Sequence, residues 1–181
     1  MSMEYLPVSW NEYIVLAQNL AASLLKNEGP FDEIVAIARG GLTLGHLLSD
    51  HLHLPICSIT IQSYTDIQKQ GELQITAKLG RHITGKRILL VDDIADSGKT
   101  LKRAVNYLRR FKPSSITTAT MFYKPHSIFH PDYFIQETKK WVIFPTEITE
   151  TLTLLQGKMS KEKLLSLGFT QKQISFANDH S

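Results

Sequence analysis

Two adjacent carboxylates, Asp92 and Asp93, close the run Arg87-Ile88-Leu89-Leu90-Val91 and precede Ile94-Ala95-Asp96-Ser97-Gly98-Lys99-Thr100. The run reads as a strand, since continuous apolar residues suit a strand covered on both faces. The residues after the acidic pair read as a short loop of small side chains that opens a helix. That helix runs to about Phe111, with Leu101, Ala104, Val105 and Leu108 on one face. A helix start offers free N–H groups and the positive end of its dipole, and both favour a phosphate. Ser97 and Thr100 add hydroxyl donors, and Gly98 lets the backbone come close to a ligand. Carboxylates beside an anion need something between. They accept hydrogen bonds from sugar hydroxyls, or they hold Mg²⁺ that itself takes phosphate oxygens. A phosphorylated ribose meets both requirements.

Two better-known phosphate motifs do not fit. Gly98-Lys99-Thr100 resembles the end of a Walker A loop, but the glycine required five positions before the GK pair is Asp93 here. Gly40, Gly41 and Gly45 do not match the G-x-G-x-x-G spacing of a dinucleotide fold.

The flanking segments predict the frame that positions this loop. Ser9-Trp10-Asn11-Glu12 is a capping box, and Tyr13, Leu16, Ala17, Leu20, Ala21, Leu24 and Leu25 recur at helical spacing up to Gly29-Pro30. Ile34 to Ala38 predicts a buried strand, Arg39-Gly40-Gly41 a turn, and Thr43 to Leu52 a helix. Ile56 to Ile61 predicts a strand. The polar stretch from Gln62 to about Gly71 predicts a long surface loop, or a hairpin with the segment from Glu72. Ser115 to Tyr123, Tyr133 to Ile135 and Trp141 to Phe144 are further strand signals, and Ser160 to Leu167 before Gly168 is a helical one. Strands alternating with helices predict an α/β fold with a mostly parallel sheet, whose ligands bind at the carboxyl ends of the strands. Arg39-Gly40-Gly41, Asp92 to Thr100 and Lys124-Pro125 all fall at such ends.

Composition bounds the rest. A chain of 181 residues with 43% hydrophobic and 20% charged residues predicts one globular domain with a small appendage. A net charge of +3 is too diffuse to argue for nucleic acid and is compatible with a small anionic substrate. The single Cys57 excludes an internal disulfide framework and a Cys-rich metal site. Met1-Ser2-Met3-Glu4 lacks signal-peptide character, and no apolar run spans a membrane, so a cytoplasmic protein is expected.

The acidic pair, the small loop and the threonine resemble the signature of the type I phosphoribosyltransferases, which bind 5-phosphoribosyl-1-pyrophosphate (PRPP). Ala38-Arg39-Gly40-Gly41 stands where that family has a pyrophosphate loop, and Ser63-Tyr64 where it has a mobile cover. Lys124-Pro125, Tyr133 and Trp141-Val142 are similar to the base-binding half of bacterial xanthine-guanine and archaeal hypoxanthine-guanine enzymes. The resemblance spans roughly residues 9 to 148 and implies a phosphoribosyltransferase domain over 1–150. It implies a twisted, mostly parallel sheet flanked by helices, with a small hood region. Residues 151–181 are expected to form a C-terminal helical extension in which Lys161 to Phe169 is amphipathic.

The implied activity is transfer of the phosphoribosyl group from PRPP to a 6-oxopurine (hypoxanthine, guanine or xanthine) in purine salvage, releasing pyrophosphate with Mg²⁺ as cofactor. By the same resemblance Asp92 and Asp93 hold the ribose hydroxyls, directly or through the metal, and Asp96 lies near the purine N7 as general base or proton shuttle. Ala95, Ser97, Gly98, Lys99 and Thr100 surround the 5′-phosphate. Arg39 and Gly40 bind pyrophosphate beside a peptide bond that is often cis in the family, and Ser63 and Tyr64 cover it. Lys124 donates to the 6-oxo group, which disfavours adenine because an ammonium has donors only. Trp141 stacks on the base, and the backbone near Val142 reads its edge. His126 and His130 flank the base-site loop and read as solvated surface residues; His46, His51 and His53 suit a helix end better than a metal site. A homo-oligomer, dimer or tetramer, is expected, without a nucleic-acid partner. The competing hypothesis is a non-catalytic regulator of the same fold that senses PRPP or nucleotide and contacts nucleic acid. Against it, basic residues cluster only at Lys102-Arg103 and Arg109-Arg110 on one helix.

Overall fold

The computed structural model describes residues 3–27, 29–66 and 69–179, with the backbone alone for 63–66 and 69–72. The chain separates into two compact units, Ile14–Thr138, and Met1–Tyr13 with Lys139–Ser181. Its elements in order are β1 (Tyr5–Pro7), α1 (Trp10–Asn27), β2 (Glu33–Ala38), α2 (Gly40–Leu52), β3 (Ile56–Asp66), β4 (Lys69–Ala77), β5 (Arg87–Val91), β6 (Ile94–Ala95), α3 (Lys99–Arg109), β7 (Ser115–Tyr123), β8 (Tyr133–Glu137), β9 (Trp141–Ile143), α4 (Ile148–Leu155), α5 (Lys161–Ser166) and α6 (Gln171–Asp179).

The larger unit is built on a sheet ordered β4-β3-β2-β5-β7-β6, with β8 also on β7. Every pairing is parallel except β3 with β4. The fold is therefore mixed α/β with a mostly parallel sheet and helices packed on it. Its central strands β2 and β5 are buried almost end to end, as their unbroken apolar runs require. Side chains alternate across the sheet. Val35, Ile37, Ile88 and Leu90 join Leu101, Ala104, Val105 and Leu108 of α3 in one core. On the opposite face Gly45 of α2 lies against Ala36 so closely that a Cβ there would come within 2.9 Å of the alanine methyl.

The capping box forms as its residues predict. Glu12 Oε2 accepts from Ser9 N at 2.8 Å and from Ser9 Oγ at 2.7 Å, and Glu12 N donates back to Ser9 Oγ at 3.2 Å. The α1 stripe of Tyr13, Ala17, Leu20, Ala21 and Leu24 is buried, whereas Leu25 is turned outward. Two boundaries differ from the sequence reading. The first is α2, which begins at Gly40 rather than Thr43, so Arg39-Gly40-Gly41 is a helix start and not a separate turn. Glycine disfavours helix interiors, which hides this from propensity alone. The second is the tail, which has α4 and α6 besides the expected helix. Of the two forms expected for the segment from Gln62, the structure has the hairpin, with β3 antiparallel to β4.

In the smaller unit β1 pairs parallel with β9. Ile143 of β9, Leu152, Leu155, Leu164, Phe169, Ile174 and Ala177 form its core, so the tail supplies most of the apolar residues that bury this short strand. Ser160 caps α5 by accepting from Lys163 N, and Gly168 follows that helix with φ of 92°. The boundary after residue 150 falls inside α4. No helix among the described residues is long and apolar enough to cross a membrane.

Candidate functional site

The carboxyl ends of β2, β5 and β7 converge on the acidic pair. Val91 is the last residue of β5. The next peptide stays attached to the sheet, because Asp92 N donates to Ala119 O at 3.2 Å. Asp93 O then accepts from both Met121 N (3.0 Å) and Phe122 N (3.2 Å). The chain resumes pairing with β7 as β6. Both aspartates are buried, at 8% and 6% exposure, and Asp93 N donates to Asp92 Oδ1 at 3.1 Å.

The glycines of α2 explain why this helix starts where it does. A Cβ on Gly40 would lie 2.5 Å from Asp93 Oδ2, and one on Gly41 would collide with the Val91 carbonyl oxygen. Only residues without a side chain let the start of α2 press against the end of β5, which puts Arg39 and Gly40 beside Asp93. The peptide bond between Ala38 and Arg39 is cis, as the family resemblance implies. Arg39 is the exposed cap of α2.

Beyond Asp93 the loop Ala95 to Gly98 leads into α3. Gly98 caps the helix at φ 75° and ψ −4°, a left-handed conformation that glycine adopts without steric cost. Lys102 N closes the first helical turn onto Gly98 O at 3.0 Å, and Lys99 N points at Ser97 Oγ at 3.4 Å. The first N–H groups of a helix lack intrahelical acceptors, so this end suits an anion. Asp96, Ser97 and Lys99 are exposed, and Thr100 is half-buried.

A second segment, Lys124 to Phe129, clasps this loop. Lys124 N donates to Ala95 O at 3.1 Å and Ile128 N to Ser97 O at 3.1 Å. Between them His126 Nε2 lies 3.0 Å from Asp96 Oδ1. Gly98 sits against Ser127 and Phe129, where a Cβ would meet the Ser127 hydroxyl and the Phe129 backbone. Lys124, which sequence alone could place as a solvated lysine, is 5% exposed. Burial holds its ammonium below the ordinary lysine pKa, while the negative charge of Asp96 pulls the other way. His126 is exposed, as the sequence reading expects, and its ring also meets Asp96. The thirty-residue separation leaves no local signal for that pairing. His130 packs against Tyr123, tilted, and edge-on against Phe134, with ring centroids at 4.7 and 5.3 Å.

The sequence-derived residues thus divide. Arg39, Gly40, Asp92, Asp93, Ala95, Asp96, Ser97, Gly98, Lys99, Thr100 and Lys124 all belong to the larger unit, at or just beyond its strand ends. Ser63 and Tyr64 lie on β3, and their side chains, with that of Lys69, fall outside the described residues. Trp141 and Val142 belong to the smaller unit, Trp141 exposed and Val142 buried. No cluster of three or more metal-ligating side chains occurs among the described residues. Two buried carboxylates nonetheless suit Mg²⁺, which keeps waters and is held by one or two protein carboxylates plus substrate oxygens.

Comparison with known proteins places this geometry. Residues 9–151 match the family model described as the phosphoribosyl transferase domain. A purine phosphoribosyltransferase from Pyrococcus horikoshii superposes with a TM-score of 0.72 at 29% identity, covering 79% of this chain and 94% of that one. A xanthine-guanine-hypoxanthine phosphoribosyltransferase from Helicobacter pylori gives 0.70 at 26% identity, covering 82% and 97%. A hypothetical protein from Neisseria gonorrhoeae with bound ppGpp gives 0.72 at 18% identity, covering 81% and 91%, and at that identity it shares the fold alone.

Proposed function

Since this chain belongs to the phosphoribosyl transferase domain family, we propose that it transfers the phosphoribosyl group of PRPP to a 6-oxopurine and releases pyrophosphate, in purine salvage. The observation that carries the purine class is the buried Lys124, whose backbone is hydrogen-bonded to the phosphate-loop residue Ala95. A lysine held there presents hydrogen-bond donors only, so the base it faces must offer an acceptor. The 6-oxo group of hypoxanthine, guanine or xanthine provides one, and the 6-amino group of adenine does not. The relatives named as purine and xanthine-guanine-hypoxanthine enzymes support the same class.

The reaction breaks the bond from C1′ to the pyrophosphate oxygen while N9 of the base approaches, so positive charge grows on the ribose. Asp92 and Asp93 accept from the ribose hydroxyls, and their buried negative charge favours that developing cation. The start of α3, with the hydroxyls of Ser97 and Thr100, holds the 5′-phosphate. Arg39 and the Gly40 backbone hold the leaving pyrophosphate, and Asp96 takes the proton from N7. Ser63 and Tyr64 cover the site against water. The roles of Trp141 and Val142, stacking on the base and reading its edge, rest on the family resemblance alone. Asp92 and Asp93 would hold Mg²⁺, which when bound neutralises the phosphate oxygens.

The test is pyrophosphate release from PRPP and Mg²⁺ with hypoxanthine, guanine, xanthine or adenine supplied singly. Release with at least one 6-oxopurine and little with adenine is expected. PRPP binding by calorimetry without release for any base would favour the non-catalytic reading, and preference for adenine would remove Lys124 from its role.

A further inference from the structure

We propose that His126 is the proton relay of this site, receiving from Asp96 the proton that the purine loses and handing it to water. The proposal rests on the transferase reading above. His126 Nε2 and Asp96 Oδ1 are 3.0 Å apart, within hydrogen-bond range. Exposed pairs of this kind are often adventitious, but here the backbone on both sides is fixed. Ala95 and Ser97, which flank Asp96, accept from Lys124 N and Ile128 N, which bracket His126. Ser127 N also donates to Lys124 O at 2.9 Å, which tightens the turn. Three consecutive loop residues are thus each matched to the turn, two through backbone and the middle one through the side-chain pair. Only side-chain torsions remain free to bring the imidazole and carboxylate together.

The chemistry requires an outlet at this point. A neutral 6-oxopurine enters and leaves bonded through N9, so one proton is released per turnover. The electron pair of the C1′–O bond goes to pyrophosphate, the N9 lone pair forms the N9–C1′ bond, and the N7–H electron pair returns to the ring. The proton moves to the Asp96 carboxylate, from there to His126 Nε2, and the imidazolium loses a proton to solvent. The Lys124 ammonium, which feels the Asp96 charge, accepts no proton because it has donors only. The His126 side chain is 66% exposed, which gives it direct access to water. Imidazole is the side chain that exchanges protons most readily near neutral pH.

His126→Ala and His126→Gln test this at a position where neither change disturbs a core. The measurement is the single-turnover rate of nucleotide formation from PRPP, Mg²⁺ and a 6-oxopurine, with PRPP affinity by calorimetry beside it. Glutamine keeps an N–H for Asp96 and carries no proton. Both variants should slow the chemical step by about tenfold, less than the roughly 100-fold or more of a direct acid–base group because Asp96 still takes the proton first, with PRPP affinity held. Free imidazole in the buffer should restore much of the rate of the alanine variant. Wild-type rates in either variant, absence of imidazole rescue, or equal losses of rate and PRPP affinity would overturn the relay. A wild-type chain that transfers to no 6-oxopurine takes down the transferase reading first, and the relay with it. That outcome is told apart because it shows before any variant is compared.

Discussion

The two ends of the parallel sheet in the larger unit each bury acidic side chains, and they treat them oppositely. At the amino end of β2, Glu33 is fully buried. Its two oxygens are met by Arg81 Nε and Lys86 Nζ, each at 2.7 Å. Burial alone would raise the Glu33 pKa. The hydrogen bonds and charges of Lys86 and Arg81 outweigh that and leave it below the ordinary glutamate value. Asp32 beside it accepts from Arg87 N at 2.6 Å, and Arg87 lies over the Phe31 ring. At the carboxyl end Asp92 and Asp93 are nearly as buried, and Gly40 and Gly41 of α2 lie so close to Asp93 and to the Val91–Asp92 backbone that neither position has room for a side chain. One end spends its charges on the fold. The other brings glycine backbone against its acids. Burial of a carboxylate by itself therefore says little about function; the bulk of the neighbours separates the two cases.

The sharpest way to break this contrast is Asp96→Asn. It should lower the single-turnover rate by about 100-fold or more with little change in PRPP affinity or melting temperature, because Asp96 is exposed. Equal loss of rate and affinity would show that Asp96 binds rather than takes a proton.

Glu33→Ala should do the reverse. We expect a loss of about 2–3 kcal/mol in denaturant unfolding, the scale of hydrogen bonds to charged groups. Arg81 and Lys86 are partly exposed and can turn to water, which keeps the loss below that of a fully buried pair. Activity per folded molecule should hold. The sign with pH follows from the lowered Glu33 pKa. Below the ordinary glutamate range the unfolded chain binds the proton more readily than the folded one. The contribution of Glu33 is thus complete above that range and lost as pH falls through its depressed value. Glu33→Gln should flatten that acid limb in thermal melts across pH.

Gly40→Ala against Gly80→Ala compares the ends at the scale of one methyl. At Gly40 the methyl meets Asp93, and at Gly80 it meets nothing within 4 Å. PRPP affinity should fall by about tenfold in the first, matching overpacking of 1–3 kcal/mol, and stay unchanged in the second. Calorimetry reads both.

The smallest effect concerns Cys57, whose thiol is pushed up to about 11 by burial and by the Glu33 charge. A thiol with so little thiolate at neutral pH should react with an aromatic disulfide about tenfold more slowly than a free one, after allowing for the greater nucleophilicity of a high-pKa thiolate. In Glu33→Gln it should react faster; an unchanged rate would remove Glu33 from its surroundings.

Local pattern determined much of this protein. The Ser9 capping box, the buried runs of β2 and β5, the nine residues of β7 and the helix after Gly98 were all legible, because each is set by neighbours within a few positions. The acidic pair at a strand end before a glycine-capped helix was legible for the same reason. Only the tertiary structure decided that Gly40 and Gly41 begin a helix, since their reason lies in Asp93 and Val91, some fifty residues on. It also decided that Lys124 is buried, that His126 meets Asp96, and that Glu33 is closed by Arg81 and Lys86. Each of these joins residues distant in the chain through strand order and register, which no short window of sequence encodes.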